Sequence, residues 1–232
     1  MFRLRDAADP SGRRVRCDMR EERNPWAGKT LLLDLDKTLI LCRDPDGCPT
    51  LEKVNEGARI TLPALRDARA TAVITTASNR EYADYMAEAA GLKDRIDGIY
   101  TRGDLLYSRH GRLRFLPKSY ARVMEALGEE APHANCAVIG DDVHRDVPIN
   151  PQGVVTVIAG MEIPFGKILA YLRTMLQLGD GNFAEGFDRL MDGMRKLRSV
   201  QFMRRSNWWF YGDEFGTARV MRFRPQEAGT GN

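Results

Sequence analysis

The chain has 232 residues, of which 43% are hydrophobic and 29% are charged, and its formal net charge is +3. This composition is ordinary for a globular protein, and the length is enough for one domain with additions. The small net charge gives no reason to expect nucleic-acid binding, and no apolar run approaches the roughly 20 residues of a membrane-spanning helix. The N-terminal region has no continuous apolar stretch, so we expect no secretory signal.

The first segment, residues 1–28, is dense in arginine and in acidic residues and holds few large apolar side chains. Such a composition predicts a loosely held arm. The acidic residues argue against an organelle presequence, which is normally poor in acids. The alternative is that the arginines of this arm contact an acidic partner.

The most informative stretch follows, where an apolar run over residues 30–33 leads into Asp34 and Asp36. Such a run is typical of a buried parallel strand, and side chains two residues apart share one face of a strand. Open α/β sheets place their sites at the C-terminal ends of strands. Two carboxylates there can divide the work, one as nucleophile or cation ligand and the other as proton carrier. The alternative is a strand that ends in an ordinary polar turn.

A β-hairpin and a helix are predicted next. Residues 39–42 and 49–54 surround a Pro-Asp-Gly turn, and we call this hairpin the flap. Residues 56–70 carry an apolar stripe that predicts a helix. They lead into residues 72–78, an apolar strand that ends in hydroxyl side chains, among them Thr76.

The helix after this strand has clear end signals. Ser78 and Glu81 fit a capping box, and Gly91 fits the C-terminal stop. Ser78 is therefore interpreted as a helix cap rather than a catalytic group. Arg80 is either a solvated helix charge or a contact for the substrate, since this turn follows Thr76.

Further candidate groups lie in the second half of the chain. A hairpin is predicted over residues 105–116, before Lys118, which lies at the expected start of a helix. Residues 136–140 form another apolar run that ends in a glycine, and three acids follow it: Asp141, Asp142 and Asp146. Two acid pairs, a hydroxyl and a lysine supply what phosphoryl transfer requires, namely a nucleophile, hydrogen-bond donors, a cation and Mg²⁺ ligands.

The order of these four motifs resembles the haloacid dehalogenase superfamily of aspartate-nucleophile phosphatases over residues 29–160. The resemblance implies a Rossmann-like parallel sheet in which Asp34 becomes an aspartyl-phosphate. Asp36 would protonate the leaving oxygen and then activate water. Thr76, with Ala77 beside it, would bind the phosphoryl group, and Lys118 would neutralise the nucleophile and the phosphate.

The same resemblance implies a magnesium site. Asp34, Asp141 and Asp142 would hold Mg²⁺ together with the backbone carbonyl of Asp36, and Asp146 would be a further ligand or a support for the others. Within the superfamily, residues 76–84 look like the hydroxyl motif of one branch. That branch contains the phosphatases of the RNA polymerase II carboxy-terminal domain and the NLI-interacting-factor-like proteins.

The intervals between the motifs are too short for a large cap domain. An uncapped site is open, which favours a phosphorylated protein side chain or another bulky substrate over a small metabolite that needs closure. The alternatives are a phosphatase of a small phosphate ester or nucleotide, and a binding or scaffold protein that kept the fold without turnover. The sequence leaves the oligomeric state open.

A C-terminal extension, residues 161–232, follows the predicted core. Residues 164–176 and 183–197 predict two amphipathic helices, and basic residues and an aromatic run at residues 208–211 come after them. We expect the helices to pack on the core rather than on a second copy. We expect the aromatic run to anchor the tail rather than to bind a phosphopeptide, nucleotide or single strand.

The four cysteines show no metal-ligand spacing, so no zinc site is expected. A disulfide between Cys42 and Cys48 is one interpretation. Reduced thiols in a cytoplasmic protein are the favoured one.

Overall fold

The computed structural model describes residues 24–43, 49–107, 118–142, 145–146, 154–197, 208–212 and 218–223. Strands and helices alternate along most of these ranges, which is typical of an α/β fold. The greater part of the predicted N-terminal arm, the turns of both predicted hairpins and Cys48 lie outside the described residues.

The strands in chain order are β1 (Thr30–Leu33), β2 (Ile40–Arg43), β3 (Thr50–Val54), β4 (Thr71–Thr75), β5 (Gly98–Tyr100), β6 (Leu106–Tyr107), β7 (Lys118–Ser119), β8 (Cys136–Gly140), β9 (Val155–Ala159), β10 (Trp208–Gly212) and β11 (Ala218–Phe223). The helices are α1 (Ala58–Asp67), α2 (Arg80–Ala89), α3 (Ala121–Ala126), α4 (Pro132–Asn135), α5 (Phe165–Leu178) and α6 (Phe183–Leu197), with a 3₁₀ turn at Lys93–Arg95.

A seven-stranded sheet in the order β10-β11-β9-β8-β1-β4-β5 forms the centre of the molecule. The five strands from β9 to β5 are parallel to one another, whereas β11 runs antiparallel to β9 and β10 runs antiparallel to β11. The predicted α/β class with a Rossmann-like parallel sheet is confirmed. The aromatic run at residues 208–211 lies in β10 and extends this sheet at its edge.

The register of the three central strands brings their C-terminal ends together. Leu33 at the end of β1 lies opposite Ile74 of β4 on one side and Ile139 of β8 on the other. The residues that come directly after these positions therefore emerge side by side at one edge of the sheet. This edge is where a doubly wound sheet places its functional groups.

The apolar side chains of β1 are completely buried and alternate between two clusters. Leu31 and Leu33 belong to the larger cluster, which includes apolar residues of α1, α2, α5 and α6, while Leu32 belongs to a smaller one with residues of α3. A strand covered on both faces must be apolar at every position, which explains the continuous run in the sequence. The C-terminal helices thus pack on the core, as predicted.

The flap is present as a separate two-stranded sheet of β2 and β3, with an irregularity between Leu41 and Cys42. Strands β6 and β7 pair in antiparallel fashion at the base of the second predicted hairpin. The expectation that Lys118 begins a helix is wrong, because Lys118 lies in β7 and α3 begins at Ala121. Among the described helices, none is long and apolar enough to cross a bilayer.

A buried asparagine joins the flap to the C-terminal helices. Asn55, directly after β3, donates from Nδ2 to the carbonyls of Thr38 at 2.9 Å and Ile163 at 3.0 Å. Its Oδ1 accepts from the N–H of Phe165, at 2.9 Å, where α5 begins. These bonds satisfy buried backbone groups on two loops, so Asn55 holds the loop after the first acid pair against the start of α5.

Candidate active site

Asp34 follows β1 at the C-terminal edge of the sheet. Its backbone N–H donates to the carbonyl of Ile139 at 2.8 Å, so the pairing of β1 with β8 continues past the strand. Only 7% of Asp34 is exposed. A carboxylate this buried requires charged or hydrogen-bonding partners, because removing it from water alone is costly.

Lys118 is the partner of this carboxylate. Its buried ammonium group donates to Asp34 Oδ1 and Asp146 Oδ1, both at 2.6 Å, and to the carbonyl of Thr75 at 3.2 Å. Burial alone would lower the pKa of Lys118, but the negative charges of Asp34 and Asp146 raise that pKa above its usual value. The lysine is therefore a permanent cation that has three acceptors for its three donors.

Asp146 is the second carboxylate bound by Lys118, and it is completely buried. Its Oδ2 accepts from the backbone N–H of Asp142 at 3.1 Å. Gly140, at the end of β8, leaves the space that this carboxylate occupies, because a Cβ at Gly140 would lie 2.2 Å from Asp146 Oδ2. The glycine before the acids is thus required by close packing.

Three carboxylates converge at this edge. Oxygen atoms of Asp34, Asp141 and Asp146 lie within 4.8 Å of one another. Burial raises the pKa of Asp34 to about 7 against the opposing effect of Lys118, and the nearby negative charge of Asp146 adds to the increase. Burial and the charge of Asp146 also raise the pKa of Asp141.

This cluster has the chemistry of a magnesium site. When all groups are ionised, three carboxylates and one ammonium leave an excess of two negative charges. A divalent cation would balance that excess, and carboxylate oxygens are the ligands that Mg²⁺ prefers. The residues present therefore fit the ion.

Asp142 has a different setting from its neighbour Asp141. Its Oδ2 lies 3.5 Å from Nε of Arg145, and its carboxylate is outside the three-carboxylate cluster. The structure thus brings Asp146 rather than Asp142 next to Asp34 and Asp141. The metal ligands named from the resemblance, with Asp142 among them, stay a prediction.

Asp36 lies beside the cluster, at the start of the turn that leads into the flap. Its Oδ1 accepts from the hydroxyl of Tyr82 at 2.5 Å, and its Oδ2 accepts from Ser78 Oγ at 3.1 Å. Lys37 follows with a left-handed backbone, φ 60°, which turns the chain away from the sheet. Both carboxylate oxygens of Asp36 are therefore held from the side of α2.

The interpretation of Ser78 as the cap of α2 is wrong. The cap is Asn79, whose Oδ1 accepts from the N–H of Tyr82 at 2.8 Å. Both residue types are good N-caps, and the helix begins one residue later than the capping-box pattern predicts. Ser78 is thereby released to donate to Asp36.

The other predicted site residues follow β4. Thr76 is buried, and its Oγ1 accepts from the N–H of Ser78 at 3.2 Å, while Ala77 between them is half-buried. Arg80 donates to the carbonyl of Ile99 at 2.6 Å and to Asp104 Oδ2 at 3.1 Å. These bonds attach the exposed guanidinium to the end of β5 and the loop beyond it. The roles of all three in substrate binding stay predictions.

Tyr82 is the site residue that the sequence analysis missed. It lies four residues after Ser78, and residues at this spacing face the same side of a helix. A tyrosine at this spacing is therefore the available signal in the sequence. The capping-box interpretation places the hydroxyl of Ser78 at the helix end and so does not point to Tyr82.

Residues 16–149 match the family model of the haloacid dehalogenase-like hydrolases. The match covers more than half of the chain and includes every acidic residue of the cluster. The chain therefore belongs to this hydrolase family, and the prediction that it is an enzyme of this superfamily is confirmed. No curated protein matches the chain.

Several solved structures are similar to this one. An uncharacterized protein from Listeria monocytogenes serotype 4b is 16% identical, with 55% of this chain and 76% of that chain covered and a TM-score of 0.42. A Legionella pneumophila protein described as a HAD superfamily hydrolase of subfamily III A is 20% identical, with 76% and 88% covered and a TM-score of 0.41.

A third similar structure is 3-deoxy-D-manno-octulosonate 8-phosphate phosphatase from Moraxella catarrhalis, in complex with magnesium ion, phosphate ion and KDO. It is 22% identical, with 52% of this chain covered and a TM-score of 0.35. This chain spans 61% of the length of that enzyme.

Proposed function

We propose that this hydrolase is a Mg²⁺-dependent phosphomonoesterase that works through an aspartyl-phosphate on Asp34. The observation that carries the proposal is the buried ion pair of Asp34 with Lys118, placed beside Asp141 and Asp146. A carboxylate oriented by a fixed cation, next to further carboxylates, is suited to attack phosphorus.

The reaction has two displacements. Asp34 forms a bond to phosphorus while the bond from phosphorus to the leaving oxygen breaks, and Asp36 gives that oxygen a proton. Water then attacks the aspartyl-phosphate, Asp36 takes a proton from the water, and Asp34 is released with inorganic phosphate. Lys118 keeps its charge throughout and stabilises the negative charge that moves between Asp34 and the phosphoryl group.

Asp34, Asp141 and Asp146 would hold the magnesium ion together with the carbonyl of Asp36. In the set that the resemblance implies, Asp142 takes the place of Asp146. When bound, the ion supplies positive charge against the phosphoryl oxygens. Asp141 and Asp146 follow β8 while Asp34 follows β1, so the same sheet register that aligns the nucleophile also aligns these ligands.

The nucleophile is tested by Asp34→Asn, which keeps the shape and removes the attacking charge. We expect phosphate release to fall by roughly three orders of magnitude or more, because no covalent step remains. In Asp36→Asn, phosphate release should fall by about 10²- to 10⁴-fold, which is the usual contribution of general acid–base catalysis to a rate.

The matched control for these variants is Asp67→Asn. Asp67 is exposed and ends α1 shortly before β4 begins, far from the C-terminal edge of the sheet. This variant should keep full activity. Undiminished phosphate release by Asp34→Asn, with the fold verified by circular dichroism, would refute the covalent mechanism.

A bulky phosphorylated substrate, such as a phosphoprotein side chain, is part of the proposal. The described residues between Asp36 and Thr76 form the flap, α1 and β4, and those between Thr76 and Lys118 form α2, β5 and β6. None of these described elements makes a separate cap domain. The similarity of residues 76–84 to the carboxy-terminal-domain phosphatase branch supports the same substrate class.

A cytoplasmic location also belongs to this proposal and is supported by the free thiols of Cys42 and Cys136.

A panel of serine and threonine phosphopeptides, sugar phosphates and nucleotides tests the substrate class. We expect kcat/KM on the best phosphopeptide to equal or exceed that on any small ester. A strong preference for one small metabolite would favour the small-ester alternative. Absence of turnover on every ester, with Mg²⁺ bound and the fold intact, would favour the scaffold.

A further inference from the structure

Two hydroxyl groups clamp the carboxylate of Asp36. Tyr82 donates to Oδ1 at 2.5 Å, and Ser78 donates to Oδ2 at 3.1 Å. Tyr82 lies in the first turn of α2 and Ser78 lies directly before the Asn79 cap, which fixes that end of the helix through the N–H of Tyr82. The clamp is therefore attached at the capped start of a helix.

Tyr82 also packs against the core beside the flap. Its ring and the side chain of Cys42 in β2 both lie against the main hydrophobic cluster. Burial and the hydrogen bond to Asp36 raise the pKa of Tyr82 above its usual value. The hydroxyl is the donor in this bond.

Resting on the proposed phosphatase chemistry, we infer that Tyr82 is a positioning residue for Asp36. Its hydroxyl holds the carboxylate in the one orientation from which a proton passes to the leaving oxygen of the substrate. Each carboxylate oxygen has two acceptor sites, so the bonds from Tyr82 and Ser78 leave capacity for this proton. The proton moves from Asp36 to the leaving oxygen and later from water to Asp36, and Tyr82 keeps its own.

The tyrosine is suited to this task because it joins two parts of the site. Its hydroxyl donates to Asp36 after β1, while its backbone lies in the first turn of α2, 46 residues further along the chain. A misplacement of about 1 Å can cost a factor of about 10² in rate, so a single well-held hydrogen bond is significant.

Tyr82→Phe tests the inference, since it removes the hydroxyl and keeps the buried ring. The measurement is kcat/KM on a series of phosphate monoesters, from alkyl phosphates with poor leaving groups to nitrophenyl phosphate with a good one. We expect a loss of roughly tenfold or more on the alkyl esters and less than about threefold on nitrophenyl phosphate, because only poor leaving groups need the proton. Asp36→Asn should show the same selectivity with larger losses.

The control is Tyr85→Phe, on the same helix, where the tyrosine is 58% exposed. It should leave the whole series unchanged. Equal losses of Tyr82→Phe on every ester, or no loss on any, would overturn the positioning role while the proposed function stands. No turnover of any ester by the wild-type protein would overturn the proposed function and this role together.

A double-mutant cycle on stability tests the clamp without any assay of activity. Tyr82→Phe and Asp36→Ala are combined, and unfolding by urea is followed for all four proteins. Either single change already breaks the hydrogen bond between Tyr82 and Asp36, so the double variant cannot lose that bond a second time. We therefore expect the change in the unfolding equilibrium constant of the double variant to be about tenfold smaller than the product of the two single changes. Strict additivity would refute the clamp itself.

Discussion

Lys118 shows how one residue organises a site of like charges. The carboxylates of Asp34 and Asp146 come from segments that are more than one hundred residues apart, and each lies 2.6 Å from the ammonium group. A buried carboxylate that lost this partner would be left uncompensated, which is strongly destabilising. The lysine is thus a structural requirement as well as a proposed catalytic group.

Gly140→Ala is a test of packing at the residue scale. The new methyl group would occupy the place of the Asp146 carboxylate, with distances of 2.2 Å to Oδ2 and 2.3 Å to Cγ. Displacing Asp146 disturbs Lys118, so we expect activity to fall about 10- to 100-fold and stability to fall by about 1–3 kcal/mol.

The control for this change is Gly103→Ala, where the added Cβ would have no atom within 4 Å. It should leave phosphate release and the urea midpoint nearly unchanged. If Gly140→Ala behaved like this control in both measurements, the close contact with Asp146 would be refuted.

At the scale of elements, the two C-terminal helices complete the core of the sheet. Large apolar residues of α5 and α6, such as Phe165, Phe183 and Phe187, are buried in the same cluster as Leu31 and Leu33 of β1. Removing these helices would expose that apolar surface to water, which is the main unfavourable change in unfolding. These two helices are therefore part of the core rather than an appendage to it.

The approach of α5 to α6 depends on a glycine, which gives a prediction at this scale. A Cβ on Gly186 would lie only 1.8 Å from the carbonyl oxygen of Met175, so Gly186→Ala must push the helices apart. We expect it to lower the free energy of unfolding by about 1–3 kcal/mol or more, as overpacking does. Gly193→Ala, in the same helix with open space around its Cβ, should instead raise it by up to about 1 kcal/mol through helix propensity.

Urea unfolding of the two variants measures both effects. We expect the free energy of unfolding to fall in Gly186→Ala and to rise in Gly193→Ala, although both replace a glycine of α6 by alanine. A destabilisation shared by both would indicate that α6 rejects alanine for another reason, and a stable Gly186→Ala would contradict the close contact.

At the scale of the whole molecule, the acidic cluster couples stability to pH, and the proposed magnesium ion would add a dependence on metal. Because burial raises the pKa of Asp34 to about 7 and also raises that of Asp141, the folded protein holds protons that the unfolded chain loses near pH 4. The contribution of these groups to stability is therefore lost as the pH rises from about 4 to about 7. A divalent cation bound as proposed would remove this cost.

The corresponding prediction concerns Asp141→Asn in chelator and in Mg²⁺. Without metal, its melting temperature should exceed that of the wild-type protein at pH 8, and the difference should shrink toward pH 4. With Mg²⁺ at 100 times its Kd, the wild-type protein should gain about 2.7 kcal/mol by mass action. At the same Mg²⁺ concentration, Asp141→Asn should gain much less stability, because it lacks one of the proposed ligands.

Asp142→Asn separates the two possible ligand sets in the same experiment. Its carboxylate lies outside the cluster and close to Arg145, so we expect this variant to keep most of the Mg²⁺ stabilisation. Loss of the Mg²⁺ response in Asp142→Asn, with retention in Asp141→Asn, would contradict the cluster of Asp34, Asp141 and Asp146. Ca²⁺ should restore activity less well than Mg²⁺, because its coordination is larger and looser.

The class of fold and the region of the site follow from patterns in the amino-acid sequence. Continuous apolar runs identified β1, β4 and β8 because strands that are covered on both faces can hold little else. The same runs located Asp34, Thr76 and Asp141, since functional groups of a parallel sheet follow the ends of its strands. These patterns are local, so they can be recognised without knowing which strands pair.

The contacts between side chains of the site depend on the three-dimensional fold. The sequence treated Asp141 and Asp142 alike, and the fold directs one into the cluster and the other toward Arg145. Lys118 and Asp146 meet because β7 and the loop after β8 converge on Asp34. Ser78 donates to Asp36 because α2 begins one residue later than its pattern predicts. Contacts of this kind depend on register and on side-chain direction across the fold, for which a single sequence carries no local signal.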